Sequence, residues 1–229
     1  MSLAGMGVVA IWHDLVPEAK EEYYEWHSRE HMPERVGIPG FRRGRRYLAL
    51  DGAPEILTLY EADSPEVLNG LDYLNRLNAP TAWTQRIMPS FRNMARSSCR
   101  VVYTSGIGSG GVMLTMRFDI DAAHRADALE ALARRLLPPV TYVRGVSGAH
   151  LCLADEAASR IETAEKKTRT NTTQLVPTWI VLIEGISVSS VRSAGDALAR
   201  ELVTLKAGAI DTAIYRHEIT RLKTPWSAG

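Results

Sequence analysis

Two histidines four residues apart, in His27-Ser28-Arg29-Glu30-His31, occupy a stretch whose Glu, Lys and Tyr content suits a helix, so both rings project from one helix face. The spacing formally matches the H-x-x-E-H zinc motif. A third ligand in a helical setting downstream is not identifiable, and the pair lies in the last turn before Pro33, so no metal is expected. Two readings stay open. His31, with His27 and with Glu30 or Glu34 beside it, has the pKa range of a general acid/base, and a nearby carboxylate can fix its tautomer. Alternatively, both histidines only help to end the helix by facing its last carbonyls.

Further polar candidates flank this pair. The first strand alternates Val8, Ala10, Trp12 against Val9, Ile11, His13, so Trp12 and His13 face opposite sides of a sheet. His13 gains interest if it shares a cavity with Tyr47 or Tyr60. Arg42, Arg43, Arg45 and Arg46 crowd the second strand, with Arg43, Arg45 and Tyr47 on one face and Arg42 and Arg46 on the other. One pair could receive a carboxylate or phosphate. The alternative is that they pair with Glu30, Glu34, Glu55 and Glu61. Trp12, His13, Arg35, Arg43, Tyr47 and Tyr60 are thus the candidate substrate-binding residues.

The elements that must position these side chains fall into two matching sets. Gly7–His13 predicts a strand, Asp14 and Pro17 a helix start for Glu18–His31, Phe41–Leu50 and Ile56–Ala62 a hairpin, Ser64–Leu77 a helix with more helix near Thr81–Met94, and Cys99–Thr104 a strand. After the glycine-rich Ser105–Gly111 the order βαββαβ begins again: strand Val112–Asp119, helix Ala122–Leu136, strands Tyr142–Leu153 and Trp179–Glu184, helix Ser190–Lys206, strand Ala209–Thr220. The expected organisation is a repeat at 6–104, a linker at 105–111 and a second repeat at 112–220 with an insertion at 154–178. The fold class is α+β: two ferredoxin-like units whose uncovered sheet faces meet in one α/β barrel. The space between those sheets is the expected binding cavity, and the insertion, with a helix over Glu156–Lys167 and a Glu162/Lys166 pair, is either solvated surface or a lid.

The passage Trp26–Phe41, with His-x-Pro followed by Pro39-Gly40-Phe41, resembles the helix-one to strand-two segment of the dimeric α/β-barrel superfamily, nearest its EthD-type branch. That resemblance implies a small-molecule protein in a monooxygenase-like context. The superfamily spans many reactions, so membership does not select one. Its members usually build barrels by pairing single repeats; a fused pair closes one within the chain and leaves a homodimer optional. In the second half the corresponding segment, Arg134-Arg135-Leu136-Leu137-Pro138, has no histidine, which places any chemistry in the first.

Composition removes several classes. In 229 residues, 27 basic and 26 acidic side chains leave a formal charge of +1, no basis for binding a polyanion, so no nucleic acid is expected. No apolar run reaches the roughly 18 residues of a membrane helix, and the start lacks a signal-peptide pattern, so no membrane partner and a cytoplasmic location are expected. Cys99 and Cys152 read as reduced thiols. Gly106-Ile107-Gly108-Ser109-Gly110-Gly111 matches G-x-G-x-x-G but precedes a strand, which removes the helix N-terminus that a dinucleotide needs. A haem enzyme would need His150 or His217 as axial ligand. The expectation is an enzyme that uses no cofactor and acts on a small anionic or aromatic molecule; the alternative is a non-catalytic small-molecule-binding or stress-response barrel.

Overall fold

The computed structural model describes residues 3–169 and 174–223; residues 170–173, within the expected insertion, lie outside them. The first half runs β1 (Gly7–Leu15), α1 (Lys20–Trp26), a π-helical turn (His27–His31), α2 (Met32–Gly37), β2 (Phe41–Asp51), β3 (Ile56–Ala62), α3 (Leu71–Leu77), α4 (Ala82–Ile87) and β4 (Phe91–Gly106). The second runs β5 (Val112–Phe118), α5 (Arg125–Ala131), a second π-helical turn (Leu132–Leu136), β6 (Val146–Ala154), α6 (Glu156–Arg160), α7 (Ala164–Lys167), β7 (Trp179–Gly185), α8 (Val188–Thr204) and β8 (Asp211–Leu222). All eight strands form one closed antiparallel barrel in the order β1-β3-β2-β8-β5-β7-β6-β4. The seams between halves are β2 against β8 and β4 against β6. Closure removes every sheet edge.

Several local expectations are corrected. Asp14 does not cap a helix: it lies within β1, and its carboxylate accepts from the backbone N–H of Glu55 at 2.6 Å and from Asn93 Nδ2 at 2.7 Å. The helical stretch expected to reach Met94 stops at Ile87: a single 3-10 turn, Met88–Ser90, with Pro89 inside it, follows, and Phe91 starts the long strand β4. The expected Glu156–Lys167 helix is two short pieces, capped separately by Asp155 and Thr163. Its Lys166–Glu162 ion pair still forms, at 2.5 Å.

Pro33 does not end the first helix. The N–H of Met32 reaches back to the carbonyl of His27, five residues earlier, and α2 continues to Gly37. A π turn already displaces the i→i−4 ladder, so a proline placed directly after it sacrifices little hydrogen bonding. The second half repeats the device, with Leu137 N–H bonded to Leu132 O at 3.0 Å just before Pro138. The glycine turns also correspond: Gly40 (φ +83°) precedes β2 and Gly145 (φ +84°) precedes β6, both in the left-handed region that favours glycine.

The barrel interior is filled. Val8, Ala10, Trp12, Tyr47, Leu57, Leu59, Met113, Ile180, Leu182, Tyr215 and both free cysteines pack together there, and burial pushes both thiols up. The space between the sheets is therefore core rather than the expected binding cavity. One end of this core is an ion network. Arg45 Nε bonds Glu61 Oε1 at 2.7 Å and Arg45 Nη1 bonds Glu184 Oε2 at 3.0 Å. His150 Nε2 approaches Glu184 Oε1 at 3.4 Å, and Arg43 reaches Glu61 at 2.9 Å. The glycine-rich segment seals this end: Gly110 N–H bonds Glu184 Oε2 at 3.1 Å, and a Cβ at Gly110 would sit 2.3 Å from the Gly185 carbonyl oxygen. Burial opposes the charge of Glu184, but His150 and Arg45 outweigh it and hold the carboxyl at about 2. Among the described residues no helix is long and apolar enough to cross a membrane.

Breaking a buried charge network at one partner leaves the others uncompensated. Arg45→Met is expected to lower the unfolding free energy by about 3–5 kcal/mol in urea titrations; a loss below about 1 kcal/mol would show the network to be solvated.

Candidate functional site

A small chamber lies on the opposite side of the first-half sheet, beneath its helices. Its floor is the outward face of β1 and β3, with Ile11, His13, Thr58 and Tyr60. Its roof is Tyr23, Trp26, His27, His31 and Arg35 from the α1–π–α2 helix. Phe91, Met94 and Arg96 of β4, Tyr73 of α3 and Met88 close one side; Glu165 and Arg169, from α7 and the residues just beyond it, close the other. The enclosed space is about 20 Å³, enough for about one water molecule.

Four of the sequence candidates, His13, His27, His31 and Tyr60, meet here, with Arg35 at the α7 end. Three do not. Trp12 and Tyr47 face the barrel interior, and Arg43 is spent on Glu61 in the ion network. Glu30 turns away from the histidines and accepts from Thr81 Oγ1 at 2.6 Å. The helix also runs past both histidines, so they do not terminate it; their rings point into the chamber. Among the described residues no group of three or more His, Cys, Asp or Glu side chains is arranged to hold a metal. His150, one candidate for a haem ligand, is wholly buried and bonded to Thr104 Oγ1 at 2.8 Å besides facing Glu184. His217, the other, bonds Thr220 Oγ1 at 2.8 Å outside the chamber.

Hydrogen bonds fix the protonation pattern. Arg46 Nη1 lies 3.0 Å from His27 Nδ1, and a guanidinium only donates, so Nδ1 accepts. The proton of neutral His27 is therefore on Nε2, which donates to Tyr60 Oη at 3.1 Å. The Tyr60 hydroxyl proton is left to point elsewhere, and the chamber is what it faces. His13 Nε2 contacts Tyr23 Oη at 3.2 Å. Two buried polar atoms of chamber-lining residues have no hydrogen-bond partner: His31 Nδ1, 3.8 Å from a Glu34 carboxylate oxygen, and Thr58 Oγ1. Orphaned buried donors and acceptors cost about 1–3 kcal/mol each, which a polar ligand would recover.

All three histidines are held neutral. Burial pushes His13 down to about 3, with Arg169 and Arg46 adding to the effect against Asp14. Burial also drives His27 and His31 well below the ordinary imidazole range, reinforced by Arg46 for His27 and by Arg35 for His31. Burial raises the Tyr60 hydroxyl well above the usual phenol range. The site at neutral pH thus presents uncharged imidazoles and a protonated phenol.

Sequence reasoning passed over Tyr23, Arg46, Arg96, Glu165 and Arg169. Tyr23 was recoverable, since Tyr23, His27 and His31 form a stripe at four-residue intervals. Arg46 lay on the correct strand face but carried no distinguishing signal. Arg96 sat in a segment with no strand assigned, and the two insertion residues resembled an ordinary surface pair.

No protein-family profile matches the chain, and no curated protein does. Solved structures do. An anthrone oxidase-like protein superposes with a TM-score of 0.63 at 14% identity, covering 95% of this chain and 92% of its own. A proposed monooxygenase from Fusobacterium nucleatum gives 0.59 at 9% identity, covering 96% of each chain. A ferredoxin-fold protein related to antibiotic biosynthesis monooxygenases, from Listeria monocytogenes, gives 0.50 at 11%, covering 95% and 97%. The structural neighbours are ferredoxin-like α/β-barrel proteins, and at such identities the likeness is one of fold.

Because the folded-state pKa of each histidine lies below its unfolded value near 6.5, the unfolded chain binds more protons between the two values. Stability is full above about pH 6.5 and is lost as pH falls toward the folded values, by up to about 1.4 kcal/mol per pH unit per histidine. The melting temperature is expected to drop as pH is lowered from 7 to 5, and the drop to be shallower in His13→Phe. Parallel curves for the two proteins would show that His13 is solvated and protonated in the fold.

Proposed function

We propose that this chain is an enzyme of the monooxygenase-like α/β-barrel context, that the helix-side chamber of the first half is its active site, and that it needs no cofactor. The observation that carries this reading is the asymmetry between halves. At positions matching His13, His27, His31 and Tyr60 in the order of elements, the second half has Phe118, Leu132, Leu136 and Ile183, three of them within its apolar core and Leu136 packed against it. The fold itself is content with hydrocarbon there. Burying three imidazoles and a phenol costs stability that packing does not require, and such costs are concentrated where chemistry is done.

The substrate best suited to this chamber is a small aromatic or enolisable molecule with an acidic C–H or O–H. His31 Nδ1, neutral and unpartnered, takes the proton. Negative charge then develops on the substrate oxygen, to which Tyr60 donates its hydroxyl hydrogen; the Arg46–His27 relay holds Tyr60 in that orientation. Rings of Trp26, Tyr23 and Phe91 offer flat apolar surface to the substrate body. An anion formed in this way is electron-rich enough to pass electrons to dioxygen, which agrees with the oxidase and monooxygenase names of the neighbours. The EthD-like passage Trp26–Phe41 supplies the roof of the site, which supports the same branch assignment.

The test is a screen of phenols and enolisable ketones by oxygen uptake and absorbance, followed by variants. With a hit in hand, His31→Gln is expected to lower kcat by about 10²–10⁴-fold with little change in KM, and Tyr60→Phe by a similar order. Full activity in His31→Gln would remove it as the base. Tight ligand binding with no turnover across the panel would favour the non-catalytic barrel instead.

A further inference from the structure

Four guanidinium groups gather at the α7 end of the chamber, and two carboxylates serve them. Arg35 Nη1 bonds Glu34 Oε2 at 2.9 Å, and Arg76 also pairs with Glu34. Arg35 Nη2 is paired with Glu165, and Arg169 Nη2 bonds Glu165 Oε1 at 2.9 Å. Among the described residues Arg96 bonds the Tyr73 hydroxyl, at 3.0 Å, and pairs with no carboxylate. Arg35, Arg96 and Arg169 all line the chamber, with Arg35 2% and Arg96 8% exposed. Four guanidiniums against two carboxylates leave an excess of two positive charges, and at the buried Arg35 and Arg96 uncompensated charge is costly.

We propose that this end of the chamber is a carboxylate-binding subsite for the ring-bearing ligand, and that Glu165 occupies it as an internal stand-in which the ligand's carboxylate displaces. This rests on the reading of the chamber as a ligand site, and it names the anionic group that the ligand carries.

Three features support it. Glu165, 2% exposed, is the one acid whose carboxylate bridges two chamber-lining guanidiniums, as a bidentate ligand would. It is delivered by α7, a helix of only four residues, and so small an element has little cooperative structure of its own to lose on moving. The chamber of about 20 Å³ also admits no aromatic ring while Glu165 and Arg169 fill its side, so entry and displacement of α7 are one event. Electrostatics agree: burial opposes charge on both arginines, Glu165 and Glu34 outweigh it for Arg35, while Arg96 and Arg35 help to hold Arg169 below its usual value. Glu165 and Arg169 leave as an ion pair with no net charge, so the incoming carboxylate lowers the positive excess that remains. Once α7 is displaced, Arg35 and Arg96 remain on α2 and β4 to meet the incoming carboxylate, and the ring lies toward Trp26 and Tyr23.

Calorimetric titration of the full chain with benzoate tests the subsite, with benzamide as the neutral isostere and sulfate as an inorganic anion. Glu165→Gln is expected to bind benzoate at least ten-fold more tightly than the wild type, and Arg96→Met in that background to abolish the gain. Equal benzoate affinity in wild type and Glu165→Gln, benzamide binding as well as benzoate, or sulfate competing as strongly would each overturn the proposal. Limited trypsinolysis of the wild type provides a second measurement that needs no variant. Saturating benzoate is expected to accelerate cleavage after Lys166 and Lys167; unchanged or slower cleavage counts against displacement. His31→Gln should keep the benzoate response, so failure of the catalytic reading leaves this one standing, and the reverse.

Discussion

Closing eight strands into a ring within one chain decides where anything else can go. Once β2 joins β8 and β4 joins β6, the inner faces of the two four-stranded sheets confront each other at packing distance, and bulky side chains such as Trp12, Tyr47 and Tyr215 fill the gap. A ligand cannot be accommodated there without dismantling the core. The outer faces are covered by helices, and that second layer is the one place where a side-chain set can change from apolar to polar without touching closure. The second half keeps it apolar; the first does not.

Two of the buried polar systems among the described residues differ in their balance of charge. In the barrel, Arg45, Glu61, Glu184 and His150 are tied to one another, to Thr104 and to the Gly110 backbone. A network joined on every side fixes register and end closure, the attested use of interior ion pairs. In the chamber, His31 Nδ1 and Thr58 Oγ1 have no partner, and positive charge exceeds negative at one end. Trp12 Nε1 and Tyr47 Oη in the barrel also have no partner, so what sets the chamber apart is the excess of positive charge beside its unpartnered atoms.

The fold was legible because the signals that specify it are local. Strand runs such as Gly7–His13 and Val112–Phe118, and glycine turns such as Pro39-Gly40, state their conformation within a few residues, and doubling the pattern implied the barrel. The face of each strand residue was legible too, since period-two alternation separated Trp12 from His13. Which face formed the cavity was not, because that depends on how completely side chains fill the barrel, a sum over all eight strands. Arg43 and Tyr47 were misplaced for that reason alone. Arg96 and Glu165 were invisible for another: they reach the chamber from β4 and α7, distant in sequence from the histidines, and no short-range pattern links them.

The π turn is where backbone and chemistry meet. Four residues of α-helix overshoot one full turn of 3.6 by about 40°, so a stripe at intervals of four drifts around the cylinder. Between Tyr23 and His27 the helix is regular and the drift occurs; between His27 and His31 the wider π turn advances less per residue and cancels it. The three rings consequently stack along one side, Tyr23 on His27 at 5.1 Å and His27 on His31 at 5.9 Å. The same turn, present at Leu132–Leu136, aims leucines into an apolar core. The backbone device is thus common to both halves, and the two differ in the identity of a few side chains mounted on it.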